Sequence, residues 1–396
     1  MSNINYYTPE GLQKLKDDFF ESCKRKGHPE QLSQEVYRQI ESFAGYSFCK
    51  AHSASYAVES YQSLFLKAYY PIEFMVSAIN NGGGFYRTEV YVHEAKMSGA
   101  KIHNPCINLS EFHTTLYGTD VYLGLMHIEK LEASIKVNIP EERKENGDYG
   151  SLEDFIKRVN IGIETLQILI FVGAFRFTGK QKHELLIEAR FLLSKNQYKS
   201  KIISLFEEPQ KDYKLPTIDR NPFEDAFDEI EILGFPVSYS IFDLLKTKYR
   251  GHVLVKDLLK YHKKQVKMLA YLISRKHVPI KMRNHPGKKD DMYFGTWIDA
   301  EGEYFDTAHF PDSLKQFPFK EGGVYLLLGT VEVDYHFPTI TITKMAKMPL
   351  IADPRYSMDD EKSKEMERSL REDVSMTHRN PYPQEHEIGL PRKKIN

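Results

Sequence analysis

The sequence predicts a multi-domain α+β protein, with a mainly helical first half followed by an all-β barrel. Three observations predict it. Apolar residues recur at three- and four-residue spacing through roughly the first hundred positions, as helix faces require. From Gln265 the period changes to two, in five short runs rich in β-branched and aromatic residues. The length, 396 residues, exceeds one ordinary domain.

The helices follow from caps and spacing. Thr8-Pro9-Glu10 is a helix start, with Leu12, Leu15, Phe19 and Phe20 behind it. Ser33 is the expected N-cap of a second helix carrying Val36, Ile40 and Phe43. Ala54 to Tyr69 gives a third, stopped before Pro71, and Pro71 to Asn80 a fourth. Asn81-Gly82-Gly83-Gly84 breaks the pattern, and Thr88 to Gly99 is helical again. Short apolar runs between turn residues make Lys101 to Leu125 a small strand-rich insert. Helices are expected at Ile128–Val137, Ser151–Val159, Glu164–Phe171 and Lys180–Lys195. Residues 200 to 222, with Pro209, Pro216 and Pro222 among charges, read as a linker before a short helix at Glu224–Leu233.

The strands are expected at 266–273, 292–299, 303–308, 323–333 and 339–344, with a short helix at 313–317. Five strands with a helix between the third and fourth is the order of an OB-fold, a small barrel that often binds oligonucleotides. Thr339-Ile340-Thr341-Ile342-Thr343 alternates as a half-buried strand does. Asp353 to Asn396 mixes charges with prolines and reads as a mostly disordered tail with one short helix near 359–372.

Composition narrows the function classes. Three scattered cysteines, Cys23, Cys49 and Cys106, fit a reducing cytoplasm and argue against a disulfide scaffold or a zinc site. No run approaches about 18 apolar residues, so no membrane span is expected. The first residues carry neither a basic nor an apolar leader region, so no secretion signal is expected. Formal net charge is −1, yet Lys246 to Lys289 holds 14 Lys or Arg against one acid, Asp257. A surface usually mixes signs, so this stretch points to a polyanionic partner.

The most specific segment is Phe43-Ala44-Gly45-Tyr46-Ser47-Phe48-Cys49-Lys50-Ala51-His52-Ser53-Ala54-Ser55-Tyr56-Ala57. It resembles the fingers motif of the bacterial DNA polymerase III alpha family (C-family DNA polymerases), commonly written FAGYGFNKSHAAAYA. Similar spacing continues through Tyr70-Pro71-Ile72-Glu73-Phe74-Met75, Gly99-Ala100-Lys101-Ile102, Ser151-Leu152-Glu153-Asp154-Phe155 and Leu233-Gly234-Phe235-Pro236-Val237-Ser238. The likeness runs in order over roughly residues 8 to 350. Gly84-Phe85-Tyr86 with Glu94-Ala95 resembles the error-prone, translesion branch more than the main replicase.

The resemblance implies five regions: the C-terminal part of a fingers domain (1–100), a helix-hairpin-helix-like domain with a strand insert (101–199), a linker and short helix (200–240), an OB-fold (241–350) and the tail (351–396). Near a helix start, Lys50 and His52 offer donors to phosphate oxygens, and Tyr56 a flat face. Lys50, His52, Ser53 and Tyr56 are the candidate nucleotide-binding residues. For DNA the candidates are Lys281, Arg283, Lys288 and Lys289 in the loop between the first two barrel strands, with Tyr293 and Tyr304 on the strands.

Two departures from the family pattern stand out. The segment Gly124-Leu125-Met126-His127-Ile128-Glu129-Lys130-Leu131 lacks the hairpin glycines whose amides grip phosphate, and Glu129 would repel it. Polymerases also need paired carboxylates for two metal ions, carried in this family by a palm upstream of the fingers. Only 42 residues precede Phe43, and Asp17-Asp18 and Asp290-Asp291 read as solvated surface. No catalytic or metal-ligating residue is therefore assigned, and no cofactor, with magnesium expected only in a complete polymerase. The expected function is DNA and nucleotide binding in replication or translesion repair, inactive without a palm-bearing part. Expected partners are primer-template, single-stranded DNA, incoming deoxynucleotide and that palm-bearing part, with no membrane contact. The alternatives are a stand-alone single-stranded nucleic-acid-binding barrel and an adaptor for replication proteins.

Overall fold

The computed structural model describes residues 9–43, 50–198, 220–281 and 289–356. They divide into two compact units, 1–69 and 70–396.

The first unit holds α1 (Pro9–Arg25), α2 (Glu30–Phe43) and α3 (Lys50–Tyr69). Pro9 opens α1 as the sequence indicates. Phe19 and Phe20 of α1 meet Tyr37 of α2, with ring centroids 5.4 and 5.3 Å apart. Ser33 is not the cap of α2. The helix begins three residues earlier, where the Pro29 carbonyl accepts the Ser33 amide at 3.0 Å and also its hydroxyl at 3.1 Å, so the side chain is spent inside the first turn. Leu32, Val36 and Ile40 form an exposed apolar stripe on α2. Every described side chain of α3 from His52 onward is exposed, including Tyr61, Leu64, Phe65 and Tyr69.

The second unit opens with α4 (Pro71–Asn80) and α5 (Thr88–Met97), which pack through Met75, Val76 and Ala95 against a three-stranded sheet. That sheet is the expected insert: β1 (Lys101–His103), β2 (Thr115–Tyr117) and β3 (Asp120–Tyr122), in the order β1-β3-β2. Four helices follow: α6 (Ala133–Asn146), α7 (Leu152–Arg158), α8 (Ile163–Phe171) and α9 (Lys182–Tyr198). The Ser151 hydroxyl caps α7 by accepting the Asp154 amide at 3.1 Å. The helix expected at 128–137 begins at Ala133, because Ile128 and Leu131 turn inward and are buried first. Phe155, Leu166, Leu169, Ile170 and Phe175 centre this core.

The barrel consists of β4 (Gln265–Lys281), β5 (Lys289–Ile298), β6 (Tyr304–His309), β7 (Val324–Asp334) and β8 (Phe337–Lys347), closed in the order β4-β5-β6-β8-β7, with α11 (Pro311–Gln316) between β6 and β7. Among the described strands of the barrel the one parallel pair is β6 with β8. This is the OB-type order read from the sequence, and the chain is α+β as expected. The strand expected to end at Ile273 continues to Lys281. Its first part, Gln265–Tyr271, pairs with β7 and its second, Tyr271–Lys281, with β5, which is how one bent strand closes the barrel. At the crossing of β7 and β8 only glycine fits: a Cβ on Gly329 would lie 2.4 Å from the Thr341 carbonyl oxygen. Inside, Trp297 Nε1 donates to Thr307 Oγ1 at 2.7 Å.

Helix α10 (Glu224–Leu233) joins the helical part to the barrel. Ile232 and Leu233 enter the helical core, while Ala226, Phe227 and Ile230 enter a second core against β4. Helix α5 adds a polar seam, where Arg87 donates to the Tyr271 hydroxyl at 3.0 Å and His93 Nε2 lies 2.8 Å from the Gly302 carbonyl. The expected disordered tail is corrected for its first residues. Asp353 is buried, and Arg355 reaches Asp228 at 2.7 Å and Glu231 at 3.0 Å, because these carboxylates need a cation once α10 is packed. Residues 357–396, with the helix expected at 359–372, and most of the linker, 199–219, lie outside the described residues.

Candidate nucleic-acid interface

The barrel carries the basic excess: residues 241–350 contain 18 Lys or Arg against 12 Asp or Glu. Residues 99–185 of the helical part contain 10 against 12. An OB barrel binds on its second and third strands and on the loops after its first and fourth. Here those are β5, β6, the 282–288 loop and the β7–β8 turn.

Lys281 and Lys289 are register partners at the mouth of the first loop. Arg283 and Lys288, and the side chains of Lys281 and Lys289, lie outside the described residues. Strand alternation turns Tyr293 away from this face, while Tyr304 lies on the outer face and packs against α5. Gly295 abuts the buried Trp297, so Tyr293, Gly295 and Trp297 share the inward face of β5. The Tyr293 ring sits 5.0 Å from His277 and 5.7 Å from Phe319, with the Arg275 guanidinium 5.9 Å away. Tyr293, Phe319 and Arg275, with Asp290 and Lys315, line a cavity of about 260 Å³ at one end of the barrel.

Tyr304 is corrected from a stacking residue to a packing one. Its ring lies 5.7 Å from His93 of α5 and its hydroxyl is enclosed. Burial, and then the Glu94 carboxylate beside it, push that hydroxyl's pKa above the ordinary phenol range.

The exposed aromatic on β5 is Phe294, which the sequence reading missed. It is the register partner of Lys276 on β4 and of Ala308 on β6, and Ala308 in turn of Thr341 on β8. One row across four strands thus reads cation, exposed ring, small residue, hydroxyl. Strand period alone contains the signal, since fixing Trp297 inward sends Phe294 outward. Also missed were Tyr335 and Phe337, both exposed at the β7–β8 turn. Tyr335 and His336 take φ of 49° and 66°, a two-residue hairpin turn usually marked by glycine or asparagine.

In the first unit, the segment 44–49 and the Lys50 side chain lie outside the described residues. Lys50 opens α3, and Ser53 and Tyr56 follow at three-residue steps. The His52 ring meets Tyr56 edge-on at 4.3 Å, and Tyr56 is 56% exposed. Solvent-facing placement leaves both rings accessible to a ligand.

The degenerate hairpin is occupied by protein. The Glu129 amide donates to the Ile232 carbonyl at 3.3 Å, and Lys130 pairs with Glu231 at 2.9 Å. An amide that a glycine hairpin would aim at phosphate is here spent on α10. Half-buried beside it, His127 is held neutral, its pKa lowered to about 4 by desolvation first and then by Lys136. Among the described residues no group of three or more His, Cys, Asp or Glu is arranged to hold a metal ion. No helix among them is long and apolar enough to cross a membrane.

Fold and surface define a class: a helix-hairpin-helix module joined to a closed OB-type barrel. A helix-hairpin-helix motif family matches residues 99–185. The DNA polymerase III subunit alpha of Aquifex aeolicus is 30% identical over 271 residues, 66% of this chain and 22% of that protein. The DNA polymerase III subunit alpha of Borreliella burgdorferi is 27% identical over 365 residues, 86% of this chain and 31% of that protein. An error-prone DNA polymerase of Mycobacterium bovis is 29% identical over 181 residues, 45% of this chain and 17% of that protein. The chain is thus similar in sequence to DNA polymerase III alpha subunits and error-prone DNA polymerases, in keeping with the segment at 43–57. It spans between about a sixth and a third of the length of these relatives.

Proposed function

We propose that this chain is a DNA-handling segment of a polymerase of this family, acting in the cytoplasm in replication or translesion repair. Its barrel holds single-stranded DNA on the β5–β6 face, and its first unit contacts the incoming deoxynucleotide through Lys50, His52, Ser53 and Tyr56. Magnesium and the catalytic carboxylates belong to a palm-bearing part. The observation that carries the DNA reading is the row Lys276, Phe294, Ala308, Thr341. An exposed ring beside a cation, with a small neighbour leaving its face open, is what stacking a base and neutralising a phosphate require. The exposed stripes of α2 and α3 support the palm-bearing part as their partner. Leu32, Val36 and Ile40 on α2, and Tyr61, Leu64 and Phe65 on α3, are exposed apolar residues of the kind proteins cover.

Fluorescence anisotropy with a labelled single-stranded oligonucleotide at two salt concentrations tests the barrel. Binding should be indifferent to sequence and weaken steeply with salt. Phe294→Ala should cost ~1–3 kcal/mol of affinity, while Tyr304→Phe should leave it unchanged. Reversing the charge of Lys281, Arg283, Lys288 and Lys289 should remove most of the remainder. A folded Phe294→Ala protein that binds like the parent would return the barrel to the adaptor reading. For the first unit, Lys50→Ala in a complete polymerase should lower apparent nucleotide affinity about tenfold, as loss of a charged hydrogen bond does. Unchanged steady-state nucleotide kinetics would remove Lys50 from the site.

A further inference from the structure

Lysines on the barrel fall into two sets. Lys256 pairs with Glu301, Lys260 with Asp257 and Lys263 with Glu332. Among the described residues no carboxylate lies within ion-pair distance of the exposed Lys246, Lys248, Lys267 or Lys344.

The register gathers the second set. Lys267 on β4 is the partner of Leu328 on β7, and Leu328 is the partner of Lys344 on β8. Lys267 points outward with Leu269 and Tyr271, and the patch begins where the cover over those two ends. Two strand spacings put the lysine backbones roughly 10 Å apart. The segment 246–251 crosses beside them. The Lys246 amide donates to Pro349, and the Tyr249 ring lies 5.5 Å beneath the Lys267 ammonium. That cation-π contact holds one cation on a half-buried ring rather than leaving it to sweep free solvent. β7 lies across the closed barrel from β5 and β6, so the Leu328 centre of this surface is separate from the Phe294 ring, although both surfaces reach onto β4 and β8.

We propose that this face is a second nucleic-acid contact, which takes the sugar-phosphate backbone of duplex DNA. Its chemistry differs from the Phe294 face in the way that decides the ligand. It offers point charges around one leucine, and its one ring is occupied by Lys267, so an unpaired base has nothing to stack on. Lysines hold phosphates without reading sequence. With the glycine-poor segment 124–131 packed on α10, the chain gains here a duplex contact independent of that segment.

The test uses the full chain, a labelled blunt duplex and a labelled single strand of equal length. Lys246→Glu, Lys248→Glu, Lys267→Glu and Lys344→Glu together should weaken duplex binding more than tenfold and change single-strand binding less than twofold. The four corresponding Gln substitutions, milder to the fold, should reduce the salt slope for duplex by about 3 to 4, one counterion per lost phosphate contact. Phe294→Ala should show the opposite selectivity. The proposal is overturned if the parent binds no duplex, if folded Gln variants bind duplex with the parental slope, or if both ligands weaken equally. Competition by poly-glutamate as effective as by duplex would also overturn it, assigning the face to an acidic protein.

Discussion

His309 is 1% exposed and shares Thr307 Oγ1 with Trp297, its Nε2 lying 2.7 Å from that oxygen. Its Nδ1 is enclosed without a partner among the described residues, and burial lowers its pKa to about 3. With His127 at about 4, the fold contains two imidazoles kept neutral. In the unfolded chain both titrate near 6.5. Above that pH neither form binds protons and full stability is retained. As pH falls from 6.5 toward 4 and then 3, only the unfolded chain takes up protons, so stability is lost. At pH 5 the cost is about 2 kcal/mol per histidine. Urea unfolding at pH 7.5 and pH 5 should therefore differ by about 4 kcal/mol from this source, and His309→Gln should remove about half of that difference. An undiminished difference in His309→Gln would show that His309 accepts a proton in the folded barrel. None of this is visible in a sequence where His309 is one of 15 histidines. Its burial depends on the parity of β6 and on Phe319 closing over it, their rings 4.6 Å apart.

At the scale of elements, α10 shows what a correctly expected helix can conceal. Glu224–Leu233 is read from the sequence with its bounds, since Gly234 at φ 86° ends it. The sequence presents it as a short helix after a linker, whereas the structure makes it the joint of the second unit. Its acids are the reason. Glu229 is fully buried and accepts the amides of Val237 and Ser238 at 2.7 and 2.8 Å, fixing the chain after the helix. Asp228 receives Lys182 at 2.5 Å and Arg355 at 2.7 Å, tying α9 and the segment after β8 to one carboxylate. Arg355→Met should cost about 3 kcal/mol in urea unfolding, because Asp228 and Asp353 remain buried with less cation around them. A loss below about 0.5 kcal/mol would show that residues 351–356 merely rest on α10.

For the whole molecule, the proposed DNA and nucleotide contacts rely on a palm-bearing part for the paired carboxylates of phosphoryl transfer. The purified chain should show no nucleotide incorporation on a primed template with magnesium, measured against a trap for contaminating polymerase. Extension above background would overturn the reading that a separate palm-bearing part supplies the catalytic acids. Adding a palm-bearing polymerase segment should also suppress the exposure of α2 and α3, read as a fall in apolar dye binding, if that segment is their partner.

By itself the sequence determined the order of helices, the period-two strands, the α11 interruption and the kinship carried by residues 43–57. Each is local, because period, caps and turn residues act within a few positions. The lysine-rich character of the barrel was equally plain. What only the tertiary structure decided was which face each residue joined. Closing β4 onto both β5 and β7 sends Phe294 outward and Tyr293 inward, lays Tyr304 against α5, and gathers Lys267 and Lys344 around Leu328. Side-chain direction along one strand is a parity, fixed only when a distant partner buries one side, and that partner is set by closure of the barrel.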